Sequence, residues 1–281
     1  MIRKRMTRRG VLAAAGVAPV AMPAGAKVVR NGRLKQSVCK WCYKDFTLDQ
    51  LCENSAAMGI VAIDLLTADE WPVVAKYGLT CAVGSGVCSI ADGLNVTANH
   101  TQIEANFRKL LPLAAKHKVP NLICFSGNRR NISDEEAWEN CAMLLNKVKA
   151  QAEDVGVTII MELLNSKVNH PDYQCDRTPW GAELCKRVNS PRVKLLYDIY
   201  HMQIMEGDVI RTIRDNIQYI AHFHTGGNPG RHEIDDTQEL NYRAISQAVV
   251  DLKFDGYYAH EFIPTRDPMT SLREAVALCD V

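Results

Sequence analysis

Four acidic or imidazole side chains stand at or near the C-terminal ends of four short, apolar, strand-like runs. They are Glu162 in 157–164, Asp198 in 193–201, His224 in 217–226 and Glu261 in 256–264. An ionised group inside a β-branched strand is costly unless it is paired or bound to an ion. Any one of these residues alone reads equally well as a strand-end polar group salt-bridged to a neighbour. Four of them, repeating at strand intervals, point to one shared site. Three carboxylates and one imidazole form an oxygen-rich donor set, which suits Mg²⁺, Mn²⁺ or Co²⁺ better than structural Zn²⁺. A divalent ion chelating adjacent carbonyl and hydroxyl oxygens acidifies the intervening C–H and stabilises the enediolate that forms. Glu162 and Glu261, on the first and last of these strands, would flank such a substrate as an acid/base pair, one removing a proton and the other returning it at the neighbouring carbon.

The elements that must position these residues alternate regularly from residue 36 onward. Strand-like runs at 36–43, 59–66, 79–85, 121–127, 157–164, 193–201, 217–226 and 256–264 are separated by helix-like runs at 47–58, 69–77, 100–118, 133–155, 178–189, 208–216 and 240–253, with a last at 269–280. Such alternation implies parallel strands joined by crossover helices, and eight units favour closure into a single (β/α)₈ barrel, a TIM barrel, over an open sheet. No GxGxxG or GxxxxGK[ST] loop follows a strand, so a phosphate cradle is missing. Ser133 with Glu136, Thr47, and Thr178 with Pro179 are helix-start signals, and Gly59, Gly78 and Gly156 stand where helices must stop. Loops at 86–99, 165–177 and 225–239 are long and polar, and in a barrel they rim the face that carries active sites.

Residues 1–26 read as a separate segment. Arg3, Lys4, Arg5, Arg8 and Arg9 precede a short apolar run and a small-x-small Ala24-Gly25-Ala26, and the sequence around Arg8-Arg9 resembles a twin-arginine export signal. The apolar run is short and broken by Pro19 and Pro23, so a stable membrane anchor is not expected. Export to the periplasm or beyond follows, with residues 27–281 as the barrel domain. Removing the segment's five cations takes the formal net charge from +1 to −4. A mildly acidic domain without a basic block argues against a nucleic-acid partner and for a small-molecule substrate. Ten cysteines in an oxidising compartment could build disulfides, yet most sit singly in strand-like or helix-like runs, where they pack as small hydrophobes. Cys39 and Cys42 have CxxC spacing inside an apparent first strand, a poor setting for a redox or zinc motif.

The segments Met161-Glu162-Leu163-Leu164-Asn165, Tyr197-Asp198-Ile199-Tyr200-His201-Met202-Gln203, Ala221-His222-Phe223-His224 and Pro229-Gly230-Arg231-His232-Glu233 resemble the hydroxypyruvate isomerase family of xylose-isomerase-like barrels. The resemblance implies that Glu162 and Glu261 are catalytic and also bind the metal with Asp198 and His224, while His201 and Arg231 contact substrate oxygens. It departs at the third ligand, where His224 replaces a glutamine and matches the ketose 3-epimerases. On the residues alone, His201 could instead support Asp198, Arg231 could be a bidentate substrate clamp or a solvated charge, and His222 could replace His224 as ligand. Glu233 and Gln203 are weaker candidates, and Trp41 and Trp180 are either pocket walls or packing residues. The competing functions are a sugar dehydratase, in which the same enediolate ejects a β-hydroxyl, and a non-catalytic exported sugar- or metal-binding barrel. Relatives of this barrel class are often dimers or tetramers, which makes a homo-oligomer one possible state, and no interface signature decides it.

Overall fold

Eight parallel strands pair in chain order and close on themselves, β8 against β1, in a computed structural model that describes residues 27–281. The strands are β1 (Lys35–Cys39), β2 (Ala62–Leu66), β3 (Thr80–Gly84), β4 (Asn121–Cys124), β5 (Thr158–Glu162), β6 (Val193–Asp198), β7 (Ile220–Thr225) and β8 (Tyr257–His260). The helices between and after them are α1 (Leu48–Met58), α2 (Trp71–Ala75), α3 (His100–Lys116), α4 (Asp134–Val155), α5 (Thr178–Val188), α6 (Ile199–Met205), α7 (Val209–Asn216), α8 (Tyr242–Asp251) and α9 (Pro268–Cys279). The export segment expected at 1–26 lies outside the described residues. No described helix is long and apolar enough to cross a membrane.

Strand periodicity explains where the site sits. Side chains two residues apart share a face. Ile160 and Leu196 pack with Val83 and Ile123 in a cluster separate from the main core, and Glu162 and Asp198 follow two residues later on the same strands. The ligand-type side chains therefore form a polar layer above an apolar plug, toward the strands' C-terminal ends. The larger core fills the space between the barrel and the helices, with Trp71, Tyr173, Tyr197, Tyr242 and Phe107 fully enclosed.

Local signals act as the sequence leads one to expect. Thr47 and Gln50 close a full capping box on α1, and Ser133 accepts the Glu136 N–H at the start of α4. Gly59 and Gly156 end α1 and α4 with left-handed φ of 91° and 73°. Two expectations need correction. The run 193–201 is not all strand: the ladder stops at Asp198, whose carboxylate caps α6 by accepting the His201 N–H at 3.1 Å. The CxxC pair does not lie within one strand either, because Cys39 ends β1 and Lys40–Cys42 form a 3₁₀ turn. All ten thiols are unpaired, and all but Cys88 are buried. At the barrel's other end, the Asp280 carboxylate accepts the backbone N–H groups of Arg30, Asn31 and Gly32 at 2.5–2.8 Å, clasping the residues before β1 to the end of α9.

Candidate active site

The closed barrel brings the four sequence-selected residues together. Ligand atoms from Glu162, Asp198, His224 and Glu261 all lie within 4.8 Å of one another, and all four side chains are buried. Glu162 and Asp198 are the last residues of β5 and β6, His224 pairs in register with Asp198 from β7, and Glu261 follows β8 directly. His224 Nδ1 is 2.6 Å from Glu261 Oε2 and 3.3 Å from Glu162 Oε1. It has no aligned hydrogen-bond partner there, so these contacts resemble ligands converging on a point more than a donor meeting an acceptor. Hard oxygen donors, one imidazole nitrogen and this convergence fit a small divalent cation.

Arg231 crosses the same cluster. Its Nη2 donates to Asp198 Oδ2 at 2.9 Å and to Glu261 Oε2, and its Nη1 donates to His201 Nε2 at 2.8 Å. The loop that delivers it is tightly folded. Arg231 has a left-handed φ of 59°, its N–H donates to the Gly227 carbonyl at 2.8 Å, and a Cβ on Gly227 would lie 2.0 Å from the Glu233 carbonyl oxygen. The Asn228–Pro229 bond in this loop is cis. Arg231 reaches the cavity, whereas His201 is fully buried behind it, between Arg231 and the Asn165 amide, which is 2.5 Å from its Nδ1.

The cavity above the cluster measures about 450 Å³. Glu162, Arg231, Glu261, Asn169 and His170 make its polar side, and Trp41, Leu65, Ile90, Phe125, Leu164 and Ile263 its apolar side. For the protein side chains alone, burial raises Glu162, with the Glu261 charge adding to this and His224 opposing it. Burial also raises Glu261, but Arg231 and His224 more than offset this and hold it well below the usual carboxylate range. Burial raises Asp198 despite Arg231. Burial pushes the His201 imidazole well down, and Arg231 adds to the effect. The two glutamates are thus unlike. Glu261 is held at both oxygens by Trp41, Arg231 and His224, while Glu162 faces the cavity with His224 beside it.

Of the two tryptophans offered as pocket walls or packing residues, Trp41 lines the pocket, and it also donates its indole N–H to Glu261, which the sequence did not indicate. Other contributors escaped the sequence. Tyr173 donates to the Glu162 carbonyl at 2.9 Å and accepts the Ser126 N–H at 3.1 Å, fixing the end of β5. Asp64, on β2, reaches His222 and His224 from beneath; a charge in the apolar run Ala62–Leu66 was the available signal. His222 contacts Asp64 and is not among the four converging ligands. Trp180 packs on Trp138, away from the cavity. Glu233 braces the loop after β8, and Gln203 donates to Glu239 in an exposed pair.

A family model described as xylose isomerase-like TIM barrel matches residues 72–280. The chain is 36% identical over 126 residues to the 2-oxo-tetronate isomerase of Cupriavidus necator, covering 45% of this chain and 46% of that one. It is 31% identical over 114 residues to the hydroxypyruvate isomerase of Escherichia coli, covering 40% and 44%. The chain thus spans less than half the length of these curated relatives. Among solved structures, a family 2 AP endonuclease from Brucella melitensis superposes with a TM-score of 0.77 at 21% identity, over 85% of this chain and 97% of that one, a likeness of fold. With most of its length matched by the family model, the chain belongs to the xylose isomerase-like TIM barrels.

Proposed function

We propose that the protein is a divalent-metal-dependent isomerase of a small α-hydroxy carbonyl compound, of hydroxypyruvate or sugar type. The carrying observation is the convergence of Glu162, Asp198, His224 and Glu261 on the floor of a cavity that both glutamates line. Glu162, Asp198, His224 and Glu261 would hold the ion, with Mg²⁺, Mn²⁺ or Co²⁺ favoured over Zn²⁺ by the three carboxylates. Bound there, the ion would supply Lewis-acid polarisation of the substrate carbonyl and so acidify the neighbouring C–H. Glu162, the less restrained carboxylate, takes the proton from one carbon through a cavity-facing oxygen. Glu261 serves the adjacent carbon from the opposite strand, and Arg231 and Trp41 keep its carboxylate oriented. Arg231 also presents its planar fork to substrate oxygens, with His201 as its neutral support. The names carried by the Cupriavidus necator and Escherichia coli relatives accord with this reading.

A ketose 3-epimerase is the second reading, favoured by the imidazole at position 224. Both readings are tested by a mass-balance product screen of trioses to hexoses and their acids, run in ²H₂O with metal-loaded protein. Conserved mass with one solvent deuteron incorporated supports proton transfer. Loss of water from the product would show a dehydratase instead, and binding without any exchange would show a non-catalytic barrel. The further reading of residues 1–26 as a twin-arginine leader places this activity in the periplasm or outside the cell. Cell fractionation of an Arg8→Lys/Arg9→Lys variant tests it, with retention in the cytoplasm expected.

A further inference from the structure

Two side chains on the polar side of the cavity have no task in the proposed proton transfer. They are Asn169 and His170, from the long loop after β5. The loop is firmly held. Asn165, at its base, accepts the Val168 and Asn169 N–H groups on its side-chain oxygen at 3.0 and 2.8 Å, and its carbonyl accepts the His170 N–H at 3.1 Å. The Tyr173 N–H donates in turn to the His170 carbonyl at 3.1 Å. A turn fixed from both sides can present a side chain to a ligand with little left to order.

Both side chains are held yet short of partners. Asn169 commits its amide oxygen twice, accepting the Tyr200 hydroxyl at 3.0 Å and the Asn165 amide at 2.7 Å. Its NH₂ group has no acceptor among the described residues. The half-buried His170 ring packs edge-on against His201, with centroids 5.3 Å apart and planes at 61°. Neither of its ring nitrogens has a hydrogen-bond partner among the described residues. Packing explains the ring; it does not explain two unpaired nitrogens at a cavity wall. Burial pushes this imidazole below its ordinary range, and the Arg231 charge adds to the effect. The neutral ring has one N–H to give and one lone pair to accept. A hydroxyl matches both, whereas a carboxylate could only accept.

Size points the same way. The cavity of about 450 Å³ falls in the range of roughly 300–1,000 Å³ that encloses drug-sized ligands. Proton transfer at the cluster floor engages only two carbons and the oxygens on them, and a three-carbon acid would leave much of the space empty. We propose that His170 is a specificity-determining residue of this site: its imidazole, with the Asn169 NH₂ beside it, hydrogen-bonds a substrate hydroxyl carried beyond the two carbons that exchange the proton. The substrate is then a polyhydroxylated chain of at least four carbons. Arg231, a permanent cation, remains the group suited to a carboxylate or to oxygens on the reacting carbons. The assignment rests on the isomerase reading above and names what the far end of that substrate must offer.

Two probe pairs that differ by one hydroxyl test it: 3,4-dihydroxy-2-oxobutanoate and erythrulose, each with its 4-deoxy analogue. Deuterium uptake from ²H₂O by each, catalysed by the Mn²⁺-loaded whole chain and read by mass spectrometry, gives kcat and KM. The wild type should favour the hydroxylated member of at least one pair by roughly 5- to 10-fold in kcat/KM, the effect of one well-placed neutral hydrogen bond. His170→Phe, which keeps a ring against His201, should erase that preference through a higher KM for the hydroxylated member, with kcat and the deoxy analogue little changed. His170→Gln, which can still give and accept, should keep part of it. Equal use of both members by the wild type overturns the proposal, whatever the variants do, and so does a preference that survives His170→Phe. A loss shared by both members would make His170 a packing residue and overturn it as well. If no probe turns over, calorimetric dissociation constants take the place of kinetics. A hydroxyl preference in binding that His170→Phe abolishes would sustain the His170 assignment while the isomerase reading fails. Binding without preference, or to none of the four probes, overturns the assignment.

Discussion

Trp41 donates its indole N–H to Glu261 Oε1 across 2.6 Å, joining the turn after β1 to the residue after β8 where the barrel closes. A hydrogen bond to a charged group contributes about 1.5–3 kcal/mol. Trp41→Phe keeps an aromatic wall but removes the donor, so kcat should fall roughly 10- to 100-fold with KM little changed. Steady-state kinetics on the substrate found in the screen checks this; an unaltered kcat would detach Trp41 from the chemistry.

Glu162→Gln would remove the proposed proton acceptor and one of the proposed ion's donors. Turnover and solvent-deuterium exchange should drop by about 10²–10⁴, while circular dichroism stays native. Wild-type-like turnover would refute the acid/base assignment.

Asp198 and Glu261 share the Arg231 guanidinium in a largely buried setting. Arg231→Met leaves both carboxylates uncompensated, a loss of roughly 3–5 kcal/mol in the metal-free protein. Saturating Mn²⁺ should restore part of it, because the cation neutralises the same carboxylates. Urea unfolding with and without Mn²⁺ measures both effects, and no recovery with Mn²⁺ would argue that the ion binds elsewhere.

Glu233 accepts the Thr265 N–H at 2.8 Å, the Thr265 hydroxyl at 2.9 Å and the Ser271 hydroxyl at 2.8 Å, tying the Arg231 loop to the segment after β8. Burial alone would push this carboxyl up, but backbone and hydroxyl hydrogen bonds outweigh it and bring it from 4.5 to about 2. A depressed folded-state value means that the stabilisation is complete above about pH 4.5 and is lost as pH falls toward 2. The stability gap between wild type and Glu233→Gln should therefore be constant from pH 7 to 5 and shrink below that. Denaturant midpoints across this range test it; a pH-independent gap would show that Glu233 acts by shape alone.

The sequence displayed the barrel and the four residues that converge in it because both depend on strong, local contrasts. Acids and an imidazole at the ends of apolar runs stand out at Glu162, Asp198, His224 and Glu261, and eight strand–helix units limit the topology. What it hid depended on backbone detail or on partners distant in the chain. The run through Asp198 to His201 is apolar enough to pass for strand, but the Asp198 carboxylate ends the ladder by capping a helix. Asp64 shows the same contrast as the four converging residues, yet its direction depends on a bulge and a left-handed Leu65 that no periodicity announces. Trp41 is a surface-like aromatic in sequence, and only closure of β1 against β8 brings it to Glu261.

The Asp280 clasp gathers Arg30 to Gly32 at the barrel floor, across the whole height of the strands from the cavity mouth. An affinity handle or fusion partner placed ahead of Lys27 would therefore hang from the underside. Purification or surface immobilisation by that route leaves the cavity mouth unobstructed.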